Sequence, residues 1–373
     1  MRNLNTKSLI CDYIHNHPNT WQNNFQNLGI KVNTENSLAI FNYGEFEADF
    51  TNPLIQEARG IIIDLNTLNV LCWPFRKFGN WNESYADQID WNTARVQEKI
   101  DGSIVKLWWN PFDNTWTWSS NSVIHAKNAS IPFPTETVRT YEDAIKIADN
   151  YDQIMNAPLN RDFTYIFEIT SPMNEVVIHH TTIHLWHIGT RHNTLGTEHN
   201  INIGISRPTE YPLHTFQECM TALEKLNTTQ GIVTQEGYVV VDDNWHRIKI
   251  KSPAYLAVHH LLGNGIVSKE KAFDIITHNL VNEIRPYPQT YAIIKWYEYQ
   301  LAEFELTVAN YMAYARGLFN EVNQDRKALA TAIKHDALSD YGFRAIGNNY
   351  TAADLIAKAT PKNILKFLKE YKK

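Results

Sequence analysis

The chain has few cysteines, and their positions exclude two common uses of this residue. Cys11, Cys72 and Cys219 are the three cysteines among 373 residues, and they lie far apart in the sequence. An odd number of distant cysteines suits neither a disulfide framework nor a metal-ligand spacing. We therefore expect free thiols and a reducing, cytoplasmic setting.

Long hydrophobic runs are also missing. No apolar run in the sequence approaches the roughly 20 residues that a helix needs to span a bilayer. The first seven residues are mostly polar and lack the apolar region of a signal peptide. We therefore expect a protein without a membrane-spanning segment and without membrane partners.

An excess of positive charge is the third absence. The formal net charge is -6, whereas binding to nucleic-acid backbones depends on Lys and Arg neutralising phosphates. Any nucleic-acid surface must therefore be local. With 43% hydrophobic and 20% charged residues, the composition is that of a folded globular chain. The sequence contains no signal that specifies an oligomeric state.

The first part of the chain, up to about residue 255, reads as short strands separated by turns. Together with two helical segments, these strands predict antiparallel sheets with flanking helices, an α+β fold. Strands are expected over 59–64, 70–73, 104–109, 115–119, 164–169, 175–178, 182–188, 237–241 and 247–250, and helices over 136–155 and 215–226.

The second part of the chain has helical periodicity and few strand signals. Helices are expected over 269–283, 289–322, 324–335 and 352–359, with a last helix beginning at Pro361. The change of period predicts two domains, residues 1–255 and an all-α C-terminal domain of residues 256–373.

Lys99 is the first residue that suggests chemistry. Asp101, Gly102 and Ser103 follow it as a tight turn between two strand ends, and Gly102 would let the backbone approach a ligand closely. A lysine amine attacks only when neutral, so cationic neighbours or burial would have to lower its pKa from about 10.4. Alone, this pattern also fits an ordinary hairpin turn with a solvated lysine.

Two further segments have similarly ambiguous interpretations when taken singly. Glu236 before Gly237 fits the end of a strand. Lys249 and Lys251, two residues apart, fit the solvated face of an edge strand, where lysine also discourages aggregation. The order in which these segments occur with Lys99 is more informative than any one of them.

Together, the segments resemble the motifs of the covalent nucleotidyltransferases, which include ATP-dependent ligases and RNA-capping guanylyltransferases. Lys99-Ile100-Asp101-Gly102-Ser103 resembles the first motif. The later motifs are resembled, in the same order, by Tyr165–Ile169, Glu236–Val239 and Lys249–Lys251. Glu57–Ile61, Arg76–Glu83 and Lys251–Tyr255 make the similarity strongest to the RNA ligase 1 family of T-even bacteriophages, over roughly residues 38–260.

This resemblance implies roles for individual residues. Lys99 would take AMP, Glu168 would bind the nucleoside, and Glu236 would serve a metal ion. The lysines that contact the α-phosphate would be Lys249 and Lys251, and their charge would also favour a neutral Lys99. The remaining ATP contacts would be Tyr43, Arg59, Lys77, Phe78, Asp101 and Gly102, with Glu283 as a further metal-associated carboxylate.

Three positions depart from the family pattern. Ser120 stands where the family has a basic phosphate contact, so one triphosphate contact is either missing or supplied by Lys106 or Lys127. Glu175 follows Asn174 where the family tends to have Arg. In the first C-terminal helix, the acidic pair of the family falls at Asn282-Glu283, so only Glu283 keeps its charge.

The implied function is an ATP-dependent RNA ligase. It would join 5′-phosphate and 3′-hydroxyl ends of single-stranded RNA through lysyl-AMP and RNA-adenylylate, using ATP and Mg²⁺, with Mn²⁺ as the alternative metal. The C-terminal domain would select RNA, and nicked tRNA anticodon loops are an expected substrate. A phage origin and a bacterial host cytoplasm follow from the same resemblance. The alternatives are a nick-sealing ligase, a capping enzyme and a non-catalytic RNA-binding relative.

Overall fold

A computed structural model describes the chain over residues 8–44, 48–227, 233–253, 291–336 and 338–347, with single positions at 255, 256, 259, 351, 352 and 355. The chain divides into two compact units, Met1–Leu256 and Ala257–Lys373. Among the described helices, none combines the length and apolar character needed to cross a membrane.

The described part of the first unit contains three antiparallel sheets. The strands of the first sheet run in the order β1 (Ile30–Glu35), β2 (Leu38–Tyr43), β3 (Arg59–Asp64) and β4 (Asn69–Cys72). The second sheet consists of β6 (Ser103–Asn110), β7 (Thr115–Ser120), β8 (Phe163–Thr170), β9 (His184–His192) and β10 (Glu198–His199), in the order β10-β9-β8-β6-β7. The third consists of β5 (Arg95–Glu98), β11 (Glu210–Tyr211), β12 (Gly237–Val241) and β13 (Arg247–Lys251), in the order β11-β5-β12-β13.

Short helices accompany these sheets. They are α1 (Leu9–Asn16), α2 (Trp21–Asn27), α3 (Pro53–Glu57), α4 (Tyr141–Lys146), α5 (Tyr151–Met155) and α6 (Phe216–Asn227). Local sequence explains where several of them begin. Asn52 caps α3 ahead of Pro53, and Thr140 forms a capping box with Asp143 at the start of α4.

The isoleucine run of β3 connects two layers. Ile61 and Ile63 pack with Phe25 and other residues of the α1 and α2 layer. Ile62 points to the opposite face, where it packs with Trp108 of the second sheet. Because successive strand residues face opposite sides, this continuous apolar run suits a strand that is buried on both faces.

The side chains of strand β8 alternate between two faces in the same way, and this alternation positions the site. Phe167 and Ile169 belong to the core that packs against α4 and α5. Ile166 packs on the other face, against Phe75 and Phe78, with Val239 of the third sheet beside them. Glu168 shares the parity of Ile166, so its carboxylate lies on the side that faces the third sheet.

Most of the strands expected in the first unit are confirmed, including the hairpin of β6 and β7. The strand expected over 175–178 is wrong, because these residues form a loop whose amides of Val177 and Ile178 bind the carboxylate of Asp101. The single helix expected over 136–155 is also wrong. It is split into α4 and α5, and the amide of Asp149, in the break, donates to the carbonyl of Ile183.

In the second unit, the described helices are α7 (Tyr291–Glu321), α8 (Arg326–Ile333) and α9 (Ser339–Gly347). Phe304, Val308 and Met312 of α7 form a buried cluster with Leu338 and Ala345. The helices expected over 289–322 and 324–335 are confirmed. Those expected over 269–283, over most of 352–359 and from Pro361 onward lie outside the described residues.

Candidate active site

A cavity of about 340 Å³ lies between the second and third sheets. This volume is at the lower end of the range of small-molecule sites. Most of the residues that the sequence singled out line it: Arg59, Phe78, Lys99, Gly102, Glu168, Lys249 and Lys251. Segments that are distant in the chain therefore meet at one site.

Lys99 lies in the turn between β5 and β6. Its amide donates to the carbonyl of Gly237 at 2.9 Å, which fastens the turn to β12. Its ammonium Nζ lies 2.5 Å from Oε2 of Glu236, and the Nζ of Lys251 lies 3.0 Å from Oε1 of the same carboxylate. Glu236 is therefore a buried carboxylate shared by two lysines.

The charge state of Lys99 follows from these neighbours. Burial alone would lower the pKa of Lys99, but the carboxylates of Glu236 and Glu168 raise it above its ordinary value. Burial likewise opposes ionisation of Glu236, and the two lysines hold its pKa below the usual value. The expectation that cationic neighbours make Lys99 neutral is thus wrong for this structure, because its nearest charges are negative.

Asp101 has a different position from the one expected. Its carboxylate is buried and accepts hydrogen bonds from the amides of Val177 at 2.9 Å and Ile178 at 2.8 Å. The hydroxyl of Tyr255 donates to it at 2.7 Å. Asp101 is absent from the cavity lining, and its contacts hold the turn that carries Lys99.

Gly102 is required for packing between strands. A Cβ added there would overlap the carbonyl oxygen of Ile169 on β8. The sequence suggested that this glycine lets backbone approach a ligand. In the structure its first effect is to let the Lys99 turn approach β8, although Gly102 also lines the cavity.

Lys249 lies among cations and has no carboxylate within ion-pair distance in the described part of the chain. Its Nζ lies 5.1 Å from the ring centre of Phe78, and the guanidinium of Arg59 lies 5.4 Å from that ring. Burial first, and then Arg59, Lys77 and the other lysines, lower the pKa of Lys249 to about 6. This lysine is therefore mostly neutral at pH 7.

Arg59 also has unused binding capacity. Its Nε is buried and has no hydrogen-bond partner among the described residues. A buried donor without a partner is costly, so such a group indicates an absent ligand. Beside Lys249, it makes this end of the cavity suitable for an anion such as phosphate.

Glu168 faces the cavity from β8. Burial, with the nearby charge of Glu236 acting in the same direction, raises the pKa of Glu168 to about 7. Lys99 and Arg59 oppose this shift. No described side chain donates a hydrogen bond to this carboxylate, which leaves it available to hydroxyl groups of a ligand.

Tyr43 and Lys77 do not line the cavity. The Nζ of Lys77 lies 5.2 Å from the ring centre of Tyr43 and 4.6 Å from that of Phe50. Lys77 is nevertheless close enough to lower the pKa of Lys249. The structure therefore places these two expected ATP contacts in an adjoining aromatic cluster.

The residues that depart from the family pattern also lie outside the cavity lining. Ser120 and Lys106 are buried, whereas Lys127 is exposed on a short 3-10 turn. The carboxylate of Glu175 lies 2.9 Å from the imidazole of His179. Glu283 lies outside the described residues.

The sequence interpretation missed several residues of the lining, above all Arg247. Its guanidinium pairs with Glu198 at 2.9 Å and lies 4.1 Å from the ring centre of Phe75. Arg247 has the parity of Lys249 and Lys251 on β13, so the alternation that revealed the lysines could have identified it. Phe75, Ile188 and Val239 supply apolar lining that carries no motif signal.

The described residues contain no group of three or more His, Cys, Asp or Glu side chains that could hold a metal ion. Glu168 lines the cavity, and Glu236, which lies outside the lining, pairs with the cavity residues Lys99 and Lys251. Mg²⁺ and similar ions bind through one or two carboxylates, several waters and substrate phosphates. This donor set therefore fits a divalent cation that arrives with a phosphorylated ligand.

Comparison with known proteins is consistent with this site. A sequence model described as RNA ligase matches residues 57–255, more than half of the chain. The chain belongs to this family, the RNA ligase 1 family, which confirms the enzyme class predicted from the motifs, an RNA ligase.

The chain is also similar to individual proteins. A protein of Autographa californica nuclear polyhedrosis virus, named as a bifunctional polynucleotide kinase/RNA ligase, is 29% identical over 248 residues. The match covers 62% of this chain and 34% of that protein, so the chain spans about a third of this relative's length. An RNA ligase of Rhodothermus phage RM378 is 22% identical over 76% of this chain and 78% of its own. The solved archaeal ATP-dependent RNA ligase aligns with a TM-score of 0.45 at 12% identity, covering 96% of this chain and 81% of that one.

Proposed function

We propose that the protein is an ATP-dependent RNA ligase that joins 5′-phosphate and 3′-hydroxyl RNA ends. The observation that carries this proposal is the cavity in which Lys99 faces an anion site formed by Arg59 and Lys249. The amine of Lys99 attacks the α-phosphorus of ATP, a P–N bond forms, and the bond to pyrophosphate breaks. AMP then passes to the RNA 5′-phosphate, and a 3′-hydroxyl displaces it to form the phosphodiester.

Catalysis of such transfers depends on positioning and on neutralising the charge that develops on the phosphate oxygens. Arg59 offers an unpartnered Nε for this purpose. Lys249 is a neutral hydrogen-bond donor before ATP binds. The negative phosphates of ATP favour protonation of Lys249, so the site gains positive charge where the substrate brings negative charge.

Lys99 must lose a proton before its amine can attack. Oε2 of Glu236, 2.5 Å from Nζ, is the group in contact with that proton. A divalent cation, Mg²⁺ or Mn²⁺, would be held by Glu236 with Glu168 beside it, and would supply positive charge to the phosphate oxygens. On the nucleoside side, the free carboxylate of Glu168 is suited to receive the ribose hydroxyls.

The finer assignments belong to the same proposal. Residues 1–255 would carry adenylylation and residues 256–373 would select RNA, with nicked tRNA as an expected substrate. The family membership and the phage and viral relatives support these assignments. The buried cysteine thiols suit a reducing cytoplasm, that of a bacterial host if the source is a phage.

The test is adenylylation followed by sealing. The purified protein is incubated with α-labelled ATP and Mg²⁺ or Mn²⁺, and a labelled adduct that is stable to base and cleaved by acid is expected. The Lys99→Ala variant should form none. The adduct should then circularise a 5′-phosphorylated single-stranded RNA.

Absence of an adduct with every metal, or an adduct that persists in Lys99→Ala, would contradict the mechanism. Labelling by GTP in place of ATP would indicate a capping enzyme. Sealing of nicked duplex without sealing of single-stranded RNA would indicate a nick-sealing ligase.

A further inference from the structure

Lys106 is a buried lysine that the proposed mechanism does not use. It lies in the middle of β6, and its side chain has no solvent exposure. Its Nζ donates to the carbonyl of Gly60 at 3.1 Å, to that of Ser120 at 2.5 Å and to Oδ1 of Asn121 at 3.5 Å. All three partners are neutral, and no described carboxylate pairs with this ammonium.

Burying an ammonium without a counter-ion is costly, so the position of Lys106 requires an explanation. Its three acceptors lie directly behind the anion end of the cavity. Gly60 follows Arg59, the residue with the unpartnered Nε, and Asn121 lines the cavity. Lys106 therefore ties the start of β3 to the loop that follows β7.

The backbone of Gly60 is adapted to this contact. It has a φ of +89°, and a Cβ at this position would overlap the Lys106 ammonium and the main chain of Asn121. Glycine adopts this conformation without the strain that other residues incur. The close approach of β3, β6 and the 120–121 loop thus depends on both Gly60 and Lys106.

We propose that Lys106 is a positioning residue for the phosphates of ATP, an inference that rests on the proposed function. It holds Arg59 and Asn121 at the cavity wall and places a positive charge beside them when it is protonated. Lys106 does not touch ATP, and it acts through these two residues.

The surroundings of the ammonium agree with this role. Burial, helped by the positive charge of Arg59 and opposed by Cys72, lowers the pKa of Lys106 to about 8. A bound triphosphate would supply the negative charge that the protein does not provide. ATP binding and protonation of Lys106 therefore favour each other.

This role is confined to the step that consumes ATP. Joining of RNA that already carries a 5′-adenylate uses no triphosphate and releases no pyrophosphate. A change at Lys106 should therefore separate two reactions of the same enzyme, whereas a general loss of structure would impair both.

The experiment compares Lys106→Met with the matched control Lys146→Met, which removes an exposed lysine of α4 outside the cavity. Two quantities are measured for each: the ATP dependence of protein-AMP formation and the rate of joining pre-adenylylated single-stranded RNA. In Lys106→Met the KM for ATP should increase about tenfold or more, while joining stays within about twofold of the original rate. Lys146→Met should match the original protein in both reactions.

An unchanged KM for ATP in Lys106→Met would overturn the inference, as would an equal loss of both reactions at an unchanged melting temperature. If Lys106→Met does not fold, Lys106→Gln, which keeps an N–H donor without the charge, is tested in the same way and must show the same separation. Failure of the unmodified protein to form any adduct would instead contradict the proposed function.

Discussion

The two ends of the cavity bury positive charge in opposite ways. At the paired end, Lys99 and Lys251 share the buried carboxylate of Glu236. At the unpaired end, Arg59 and Lys249 lie over the ring of Phe78 with no described carboxylate within ion-pair distance. Both ends belong to the same cavity.

This difference gives the two ends separate roles: the paired end holds the nucleophile, and the unpaired end binds the substrate. A counter-ion raises the pKa of Lys99, whereas burial without one lowers the pKa of Lys249 to about 6. The reactive amine is therefore kept protonated at the paired end until its surroundings change. The unpaired end can gain a proton and charge when an anion arrives.

The largest effect should come from removing the shared carboxylate of the paired end. In Glu236→Gln, adenylylation should fall roughly 10³-fold, because several kcal/mol of charge stabilisation is lost. The residual activity should extend to lower pH, since Lys99 loses the carboxylate that raises its pKa. Adduct formation measured across pH and metal concentration checks both effects. Glu175→Gln, in a loop outside the cavity, is the matched control, and similar rates in the two variants would remove Glu236 from the site.

The next largest effect should come from the unpaired end. In Arg59→Met, kcat/KM for adenylylation should fall about 10²-fold, as when one preorganised donor is removed from a charged transition state. The control is Arg161→Met, because Arg161 lies 3.7 Å over the ring of Trp109 and outside the cavity. Initial rates over a range of ATP concentrations measure the effect. An Arg59 variant with normal kinetics would show that this end binds no phosphate.

Proton uptake should then distinguish Lys249 from Lys251. At pH 7.5, ATP binding in metal-free buffer should take up about one proton, because phosphate charge restores the proton that burial removed from Lys249. Calorimetry in buffers of different ionisation enthalpy measures this uptake. Uptake should fall in Lys249→Met to the smaller share that Lys106 takes up, and it should persist in full in Lys251→Met. Uptake that is undiminished in both variants would assign the proton to another group.

The smallest effects should be on stability, and they should have opposite signs. Lys249→Met should stabilise the fold by about 1 kcal/mol, because it removes a buried amine without a counter-ion. Lys251→Met should destabilise the fold by about 1–2 kcal/mol, because it removes a partner of the buried Glu236 carboxylate. Between about pH 6 and 10 the folded protein binds fewer protons at Lys249 than the unfolded chain, so its stability increases with pH. The advantage of Lys249→Met should therefore shrink as pH rises. Melting temperatures at pH 6.5 and pH 9 test this, and shifts of the same sign in both variants would contradict the comparison.

Much of the fold was predictable where one local signal dominates. The run from Arg59 to Asp64 and the strand from Gly237 to Val241 have the bounds expected from their β-branched residues. The short helices α1 and α2 and the hairpin of β1 and β2 were not predicted. These elements are short, so their local sequence signals are weak, and packing around Phe25 and Phe41 stabilises them.

The membership of the site was more predictable than its electrostatics. Motif order grouped Lys99, Glu168, Glu236 and Lys249, and in the structure each lies on the cavity lining or is bonded to it. The charge of Lys99 depends on which neighbour is nearest. That is decided by two strand pairings: Gly237 pairs with Lys251 within one hairpin, and Tyr238 pairs with Glu98 between strands that are far apart in the sequence. Local patterns do not contain such distances.

The hydrogen bonds that hold the carboxylate of Asp101 have a consequence for synthesis of the protein. The carboxylate is held by amides that lie 76 and 77 residues later in the chain and by a hydroxyl 154 residues later. The Lys99 turn therefore cannot adopt this geometry until translation has passed Tyr255 and that residue has left the ribosome. A nascent or truncated chain that ends before Tyr255 would contain Lys99 without the hydrogen bonds that hold its turn. Formation of lysyl-AMP would therefore report that the whole first unit has folded.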